Sequence, residues 1–377
     1  MPFTEPLSHR LPSPLSSHTT LSGTMPPPPV ESNEASKEVD KLADRLQKTT
    51  VGDNSTGESI KIVVQNEEGV ETSPTDAPQR PSSAEVLARV LESREYLNLT
   101  GKIHVEPQAI RTKHGGAADV YVGTIISSGK KVAVKRLRLN IGGSEKIAKD
   151  IAREIRVWSE LYHPNILPIL GYCIEGDYPS LISTWMLNGS LREYMTGLDK
   201  NRTIAMMSGI ANGLSYIHSK GAIHSDLKSD NVLVSPDEEA LLTDFGVSRM
   251  DALSAGFTTH SVKGSTRWQA VEFFEIFDDE SPAPTHTKKT DVWAFGMTVY
   301  ELLTHDVPYH NLKDNNQVVN YISRGKLPKQ PAFASEVADR KIDEFMWSIC
   351  EKCWSEVRSR PSMEDLQTDL LSFSSKL

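Results

Sequence analysis

Ile223-His224-Ser225-Asp226-Leu227-Lys228-Ser229-Asp230-Asn231-Val232-Leu233-Val234 is the most informative stretch of this 377-residue chain. Apolar residues frame a polar loop, and inside it Asp226 and Asn231 stand at the two ends of a five-residue interval. A carboxylate at one end can orient a hydroxyl, and a carboxamide at the other can ligate a hard cation, since both present oxygen lone pairs. Downstream, Leu241-Leu242-Thr243-Asp244-Phe245-Gly246 supplies a second carboxylate ahead of a glycine hinge. Asp226, Asn231 and Asp244 are therefore expected to surround one metal-nucleotide site.

Phosphoryl transfer from a nucleotide demands little covalent chemistry of a protein. It needs a charge clamp on the phosphates, a divalent cation and an aligned hydroxyl. Upstream, Val132-Ala133-Val134-Lys135 reads as an apolar strand whose alternation ends in a lysine. Such a lysine is commonly a solvated edge residue. Here Glu154 lies on the helical segment that follows, where it could turn inward and hold the ammonium against phosphate oxygens.

The periodicity around these residues changes along the chain. From Ser82, capping-box spacing to Glu85 and an apolar face of Leu87, Val90 and Leu91 predict a short helix leading into the folded region. Ile103 to Ile126 and Lys131 to Leu137 are rich in β-branched residues and broken by Gly115, Gly116 and Gly129, as a meander of antiparallel strands would be. Glu145 to Leu161 switches to helical period, and helical patterns dominate beyond Leu191. Strands followed by helices indicate an α+β fold of two lobes with a ligand cleft between them.

Together these segments resemble the motifs of the eukaryotic protein kinases: VAVK, an HxDLKxxN catalytic loop and DFG, in the family's order and spacing. The resemblance runs from about Ile103 to the C-terminus and implies a two-lobed kinase domain over 103–377, with a small β lobe to about 186 and a larger helical lobe from 187. It implies ATP and Mg2+ as cofactors and protein hydroxyls as substrate. Lys135 would pair with the α/β-phosphates and with Glu154, Asp226 would be the catalytic base, Lys228 would stabilise the transferred phosphate, and Asn231 with Asp244 would hold Mg2+. Leu181-Ile182-Ser183-Thr184-Trp185-Met186 resembles the hinge strand, with Ser183 as gatekeeper and the backbone from Thr184 to Met186 facing adenine; Val120, Ala133 and Leu233 would line the same cavity. Asp291-Val292-Trp293-Ala294-Phe295-Gly296 resembles the central helix whose aspartate braces the catalytic loop, and Arg360 resembles the arginine that pairs with the APE glutamate, here Glu272. A surface arginine is the alternative for Arg360.

The chain departs from the family pattern in three places. Its glycine-rich loop reads Lys113-His114-Gly115-Gly116-Ala117-Ala118-Asp119-Val120, so Lys113 and Ala118 replace the first and third glycines, whose missing Cβ permits close approach to phosphate. Gly115 and Gly116 keep a flexible tip. Ser225 replaces the arginine of HRD, which in the family pairs with a phosphorylated activation loop; activity is thus expected not to require phosphorylation of Thr258, Thr259 or Ser261. The third is Ala270-Val271-Glu272 in place of APE. Lys228 resembles serine/threonine kinases, while Asn188-Gly189-Ser190-Leu191, Cys353-Trp354 and Arg360-Pro361 resemble tyrosine kinases, a combination that points to the tyrosine-kinase-like serine/threonine group. A pseudokinase scaffold, binding partners without phosphotransfer, is the alternative that Lys113, Ala118 and Ser225 keep open.

Composition bounds the rest. Half of the 22 prolines fall within residues 1–81, where Phe3 is the sole aromatic residue, so that stretch is expected to be disordered. Three cysteines are too few for a disulfide framework, and Cys350 with Cys353 reads as two helix-face core residues before it reads as a zinc or redox pair. The net charge of −9 argues against general nucleic-acid binding, and no apolar run is long enough to span a bilayer. A soluble, cytoplasmic protein is expected, with nuclear access possible; oligomeric state is not legible.

Overall fold

The computed structural model describes residues 85, 87, 89, 91–106, 118–138, 145–176, 178–245, 265–274 and 284–377, all within the second of two units, Met1–Thr75 and Asp76–Leu377. A five-stranded antiparallel sheet opens this unit. Its strands are β1 (Ile103–Val105), β2 (Ala118–Ile125), β3 (Lys131–Leu137), β4 (Ile169–Glu175) and β5 (Tyr178–Thr184), in spatial order β1-β2-β3-β5-β4. The period of two in β3 decides which side chains meet the cleft. Val132 and Val134 are fully buried on one face, in a cluster with Cys173 and Ile182. Ala133 and Lys135 therefore share the other face with their cross-strand partners, Ser183 opposite Ala133 and Val120 opposite Lys135.

Between β3 and β4 lies α1 (Glu145–Glu160). Its buried positions Ala148, Ile151, Ala152, Ile155 and Trp158 recur at three- and four-residue spacing, the stripe by which an amphipathic helix docks on a core. The Trp158 indole donates to the Leu167 carbonyl at 2.7 Å, which fixes the end of the helix.

After β5 the chain is mainly helical: α2 (Leu191–Tyr194), α3 (Lys200–Ser219), the hairpin β6 (Val232–Val234) with β7 (Ala240–Leu242), then α4 (Lys288–Thr304), α5 (Asn315–Ile322), α6 (Val337–Cys353) and α7 (Met363–Ser374). Local chemistry sets these boundaries. Asp199 caps α3 by accepting from Arg202 N, and Thr287 with Thr290 forms a capping box on α4. Residues 290–302 of α4 are buried without interruption, so this helix is the spine of the lobe. Gly296 is needed there because a Cβ would come within 2.5 Å of Cys353 Cβ on α6. Cys350 and Cys353 are themselves free and fully buried, and burial pushes both thiols up, which leaves little thiolate for metal or redox chemistry.

Arg360 is interior, with 1% of its surface exposed. It donates to Glu272 Oε1 at 2.8 Å and Oε2 at 3.2 Å, and to the Lys289 carbonyl at 2.7 Å, with its guanidinium stacked over Trp293. The surface alternative for this residue is thereby excluded. Among the described residues no helix is long and apolar enough to cross a membrane.

Candidate active site

The catalytic loop hangs from the first turns of α4. Asp291 Oδ2 accepts from His224 N and from His218 Nε2, both at 2.8 Å, and Oδ1 accepts from Ser225 N at 2.9 Å. These bonds hold Ser225 at φ 72, a left-handed conformation that a non-glycine residue adopts only when its surroundings enforce it. Asp244 is held similarly at φ 66. Glu238, His305 and Tyr309 share this conformation elsewhere in the chain.

Asp226 is oriented by its neighbours. Lys228 Nζ donates to Asp226 Oδ2 at 2.9 Å, and Asn231 Nδ2 donates to the same oxygen at 2.8 Å and to the Asp226 carbonyl at 2.7 Å. Asn231 thus spends its amide nitrogen on Asp226, which leaves the carboxamide oxygen as its donor to a cation. Thr243 N donates to the Asn231 carbonyl at 3.0 Å, tying the Asp244 segment to the same loop. Beneath them, Phe245 packs edge-on against Trp158 of α1 at 5.7 Å and near His224 at 5.3 Å. Burial lowers the pKa of His224, against the opposing pull of Asp291, Asp226 and Asp244.

The lysine clamp differs from expectation. Lys135 Nζ lies 2.5 Å from Asp244 Oδ1, and no ion pair joins it to Glu154. Glu154 Oε1 is buried without a hydrogen-bond partner. Burial pushes its carboxyl well above the ordinary range, against the pull of Lys135. Burial would raise Asp244 too, but the field and hydrogen bond of Lys135, with Lys228 and His224 adding to them, hold it below the ordinary carboxylate value. One ammonium can neutralise one carboxylate, and in this structure Lys135 pairs with Asp244.

Two residues on the substrate side were not singled out from the sequence. Ser265 Oγ accepts from Lys228 Nζ at 2.9 Å, so the lysine bridges Asp226 to the segment that follows the activation loop. Glu301, on α4 and fully buried, accepts from Ser229 N at 3.0 Å, Ser229 Oγ at 2.6 Å and Trp268 Nε1 at 2.8 Å. It locks the catalytic loop to Thr266–Trp268. Burial outweighs these bonds and raises its carboxyl to about 7. A lone isolated serine carries no sequence signal, but an acid well inside an apolar helix, as Glu301 is, does. Where the family pattern has arginine, the Ser225 hydroxyl and Gln269 Oε1 are both buried without partners and line one small cavity of about 20 Å³.

Of the residues expected to wall a nucleotide, Val120, Ala133 and Ser183 share a sheet face with Lys135; Thr184 and Met186 continue from β5; Leu233 lies on β6, bridged to Ser190. Lys113, Gly115 and Gly116 lie outside the described residues, as do Thr258, Thr259 and Ser261. The donor set fits Mg-ATP: Asp226, Asn231 and Asp244 present hard oxygens, an ammonium stands beside Asp244, and an apolar-walled face adjoins them. Bound there, Mg-ATP would supply the phosphoryl group and the charge that polarises it.

The family described as protein tyrosine and serine/threonine kinase matches residues 111–370. Serine/threonine-protein kinase STY46 of Arabidopsis thaliana is 30% identical over 221 residues, which cover 58% of this chain and 36% of the relative. Serine/threonine/tyrosine-protein kinase HT1 of the same organism is 28% identical over 261 residues, 67% of this chain and 62% of the relative. Wall-associated receptor kinase-like 17, also from Arabidopsis thaliana, is 25% identical over 276 residues, and the chain spans about a third of its length. The match to the family covers well over half of the chain, and the chain therefore belongs to the protein tyrosine and serine/threonine kinase family, as a eukaryotic protein kinase.

Proposed function

We propose that the protein is an active serine/threonine kinase of the tyrosine-kinase-like group, transferring the γ-phosphoryl group of Mg-ATP to protein hydroxyls in the cytoplasm. The observation that carries this reading is the arrangement around Asp226. Its Oδ2 is occupied by Lys228 and Asn231, so Oδ1 is left to accept from a substrate hydroxyl and align it for attack. Lys228, positioned by Ser265, contributes positive charge where negative charge develops on the transferred group. Asn231 and Asp244 would hold Mg2+, and Lys135 would contact the phosphates. Serine/threonine preference is supported by Lys228 within the catalytic loop and by the names of relatives such as STY46, which are serine/threonine kinases by title.

The pseudokinase reading draws on Ser225 and on the absence of a Lys135 to Glu154 ion pair. Both are compatible with chemistry, because neither removes a group that touches the reacting atoms. Incubating the purified chain with labelled Mg-ATP and serine-, threonine- or tyrosine-bearing peptide pools, beside an Asp226→Asn control, separates the two. Label on serine or threonine that the control loses by about 10²-fold or more is expected; signal equal to the control supports the scaffold.

A further inference from the structure

The family match begins at residue 111, yet residues before it are integral to the core. Leu87 and Leu91 are fully buried and Leu97 is nearly so, in the same hydrophobic cluster as Ile151, Ile155 and Trp158 of α1. Leu91 N donates to the Leu87 carbonyl, and a 3-10 turn follows over Glu92–Leu97. From that turn, the Arg94 guanidinium pairs with Glu160, the last residue of α1. Leu99 N then donates to the Tyr172 carbonyl at 2.7 Å, and Thr100 Oγ1 accepts from Ile174 N at 3.1 Å, so the segment is stitched along β4. Gly171 records how close this approach is: a Cβ there would stand 2.2 Å from the Leu97 carbonyl oxygen.

We propose that residues 85–100 act as a brace on α1, and that Arg94, with Leu87 and Leu91, are positioning residues that hold Glu154 at the depth where it faces Lys135 and Asp244. Helix α1 sits on the sheet by one apolar stripe, and a helix held by a single stripe can rotate or slide. The brace adds an ionic latch at the C-terminal end of α1 and apolar side chains to the core cluster that α1 packs into. Its polar contacts run to α1 and β4, so it reaches the chemistry through α1. The inference rests on the kinase reading for its functional consequence and on the packing for the rest.

The experiment uses the full chain. In Leu91→Asp, a charge that must leave the core releases the segment. Hydrogen exchange of amides 147–160 is expected to rise about tenfold or more while that of 288–304 stays unchanged, and Mg-ATP is expected to bind several-fold more weakly. Arg94→Glu should weaken Mg-ATP by about three- to fivefold, the most a largely exposed pair supplies, and the reciprocal variant R94E/E160R should restore it. The brace is refuted if 91–99 lose protection in Leu91→Asp while 147–160 keep theirs, or if Glu160→Arg fails to restore the Arg94→Glu loss. Should Leu91→Asp not fold, the charge-reversal cycle decides alone. A chain that transfers no phosphate but still loosens α1 on release sinks the kinase reading and leaves the brace standing; the opposite pattern sinks the brace.

Discussion

Glu301 offers a prediction whose size can be worked out. Its ordinary value is 4.5, and burial raises it to about 7 despite three hydrogen bonds and the Arg192 guanidinium 3.8 Å away. The folded chain therefore prefers the protonated form. By linkage, the stabilisation is complete below 4.5 and is lost as pH rises through about 7. Between pH 5 and pH 8 that loss integrates to about 2.5 kcal/mol, because each pH unit of difference corresponds to about 1.4 kcal/mol. The Glu301→Gln variant is neutral throughout and retains one carbonyl acceptor for Ser229 or Trp268. Urea denaturation of both proteins at a series of pH values isolates the effect, since every other titrating group is common to the two. The wild type should lose about 2.5 kcal/mol relative to the variant from pH 5 to pH 8. Stability curves that run parallel over that range would show that Glu301 does not titrate on unfolding.

Three further outcomes follow from particular contacts. Arg360→Ala strands Glu272 and two carbonyls; with Glu272 at 17% exposed, some water can replace the guanidinium, so a loss at the lower end of about 3–5 kcal/mol is expected in urea melts. Ser183 is small and shares its face with Ala133, so ATP analogues enlarged at the adenine should be accepted by the wild type and used at least about tenfold less by Ser183→Met, a comparison of turnover with the two nucleotides deciding it. Because Ser225 offers no guanidinium to a phosphate, alanine at Thr258, Thr259 and Ser261 together should leave phosphotransfer within about threefold of wild type. Abolished activity in a folded triple variant would contradict that.

The catalytic loop was legible because its chemistry is written contiguously: Asp226, Lys228 and Asn231 sit in the loop and 3-10 turn just ahead of β6, and their spacing alone implies a shared site. The β3 lysine was legible for a similar reason, since alternation along the strand fixes the face that Lys135 shares with Ala133. The partner of Lys135 was not. Whether its ammonium meets Glu154 or Asp244 depends on the depth of α1, which tertiary packing sets and no local pattern encodes. The same holds for Leu87 and Leu91: their helical spacing announced a buried face, but what would cover it is a long-range fact. Glu301 could have been suspected as a charge inside an otherwise apolar helix, whereas Ser265 acquires meaning only once folding brings it to Lys228.

Asp226, Asn231, Asp244 and Lys135 are proposed to serve one metal-bound nucleotide. Calorimetric titration of the full chain with ATP, in Mg2+ and again in chelator, tests this most directly, with Asp244→Asn as the comparison. Binding that is tight with Mg2+, at least about tenfold weaker in chelator and insensitive to Mg2+ in the variant is the predicted result. Equal affinity with and without the metal, in both proteins, would contradict it.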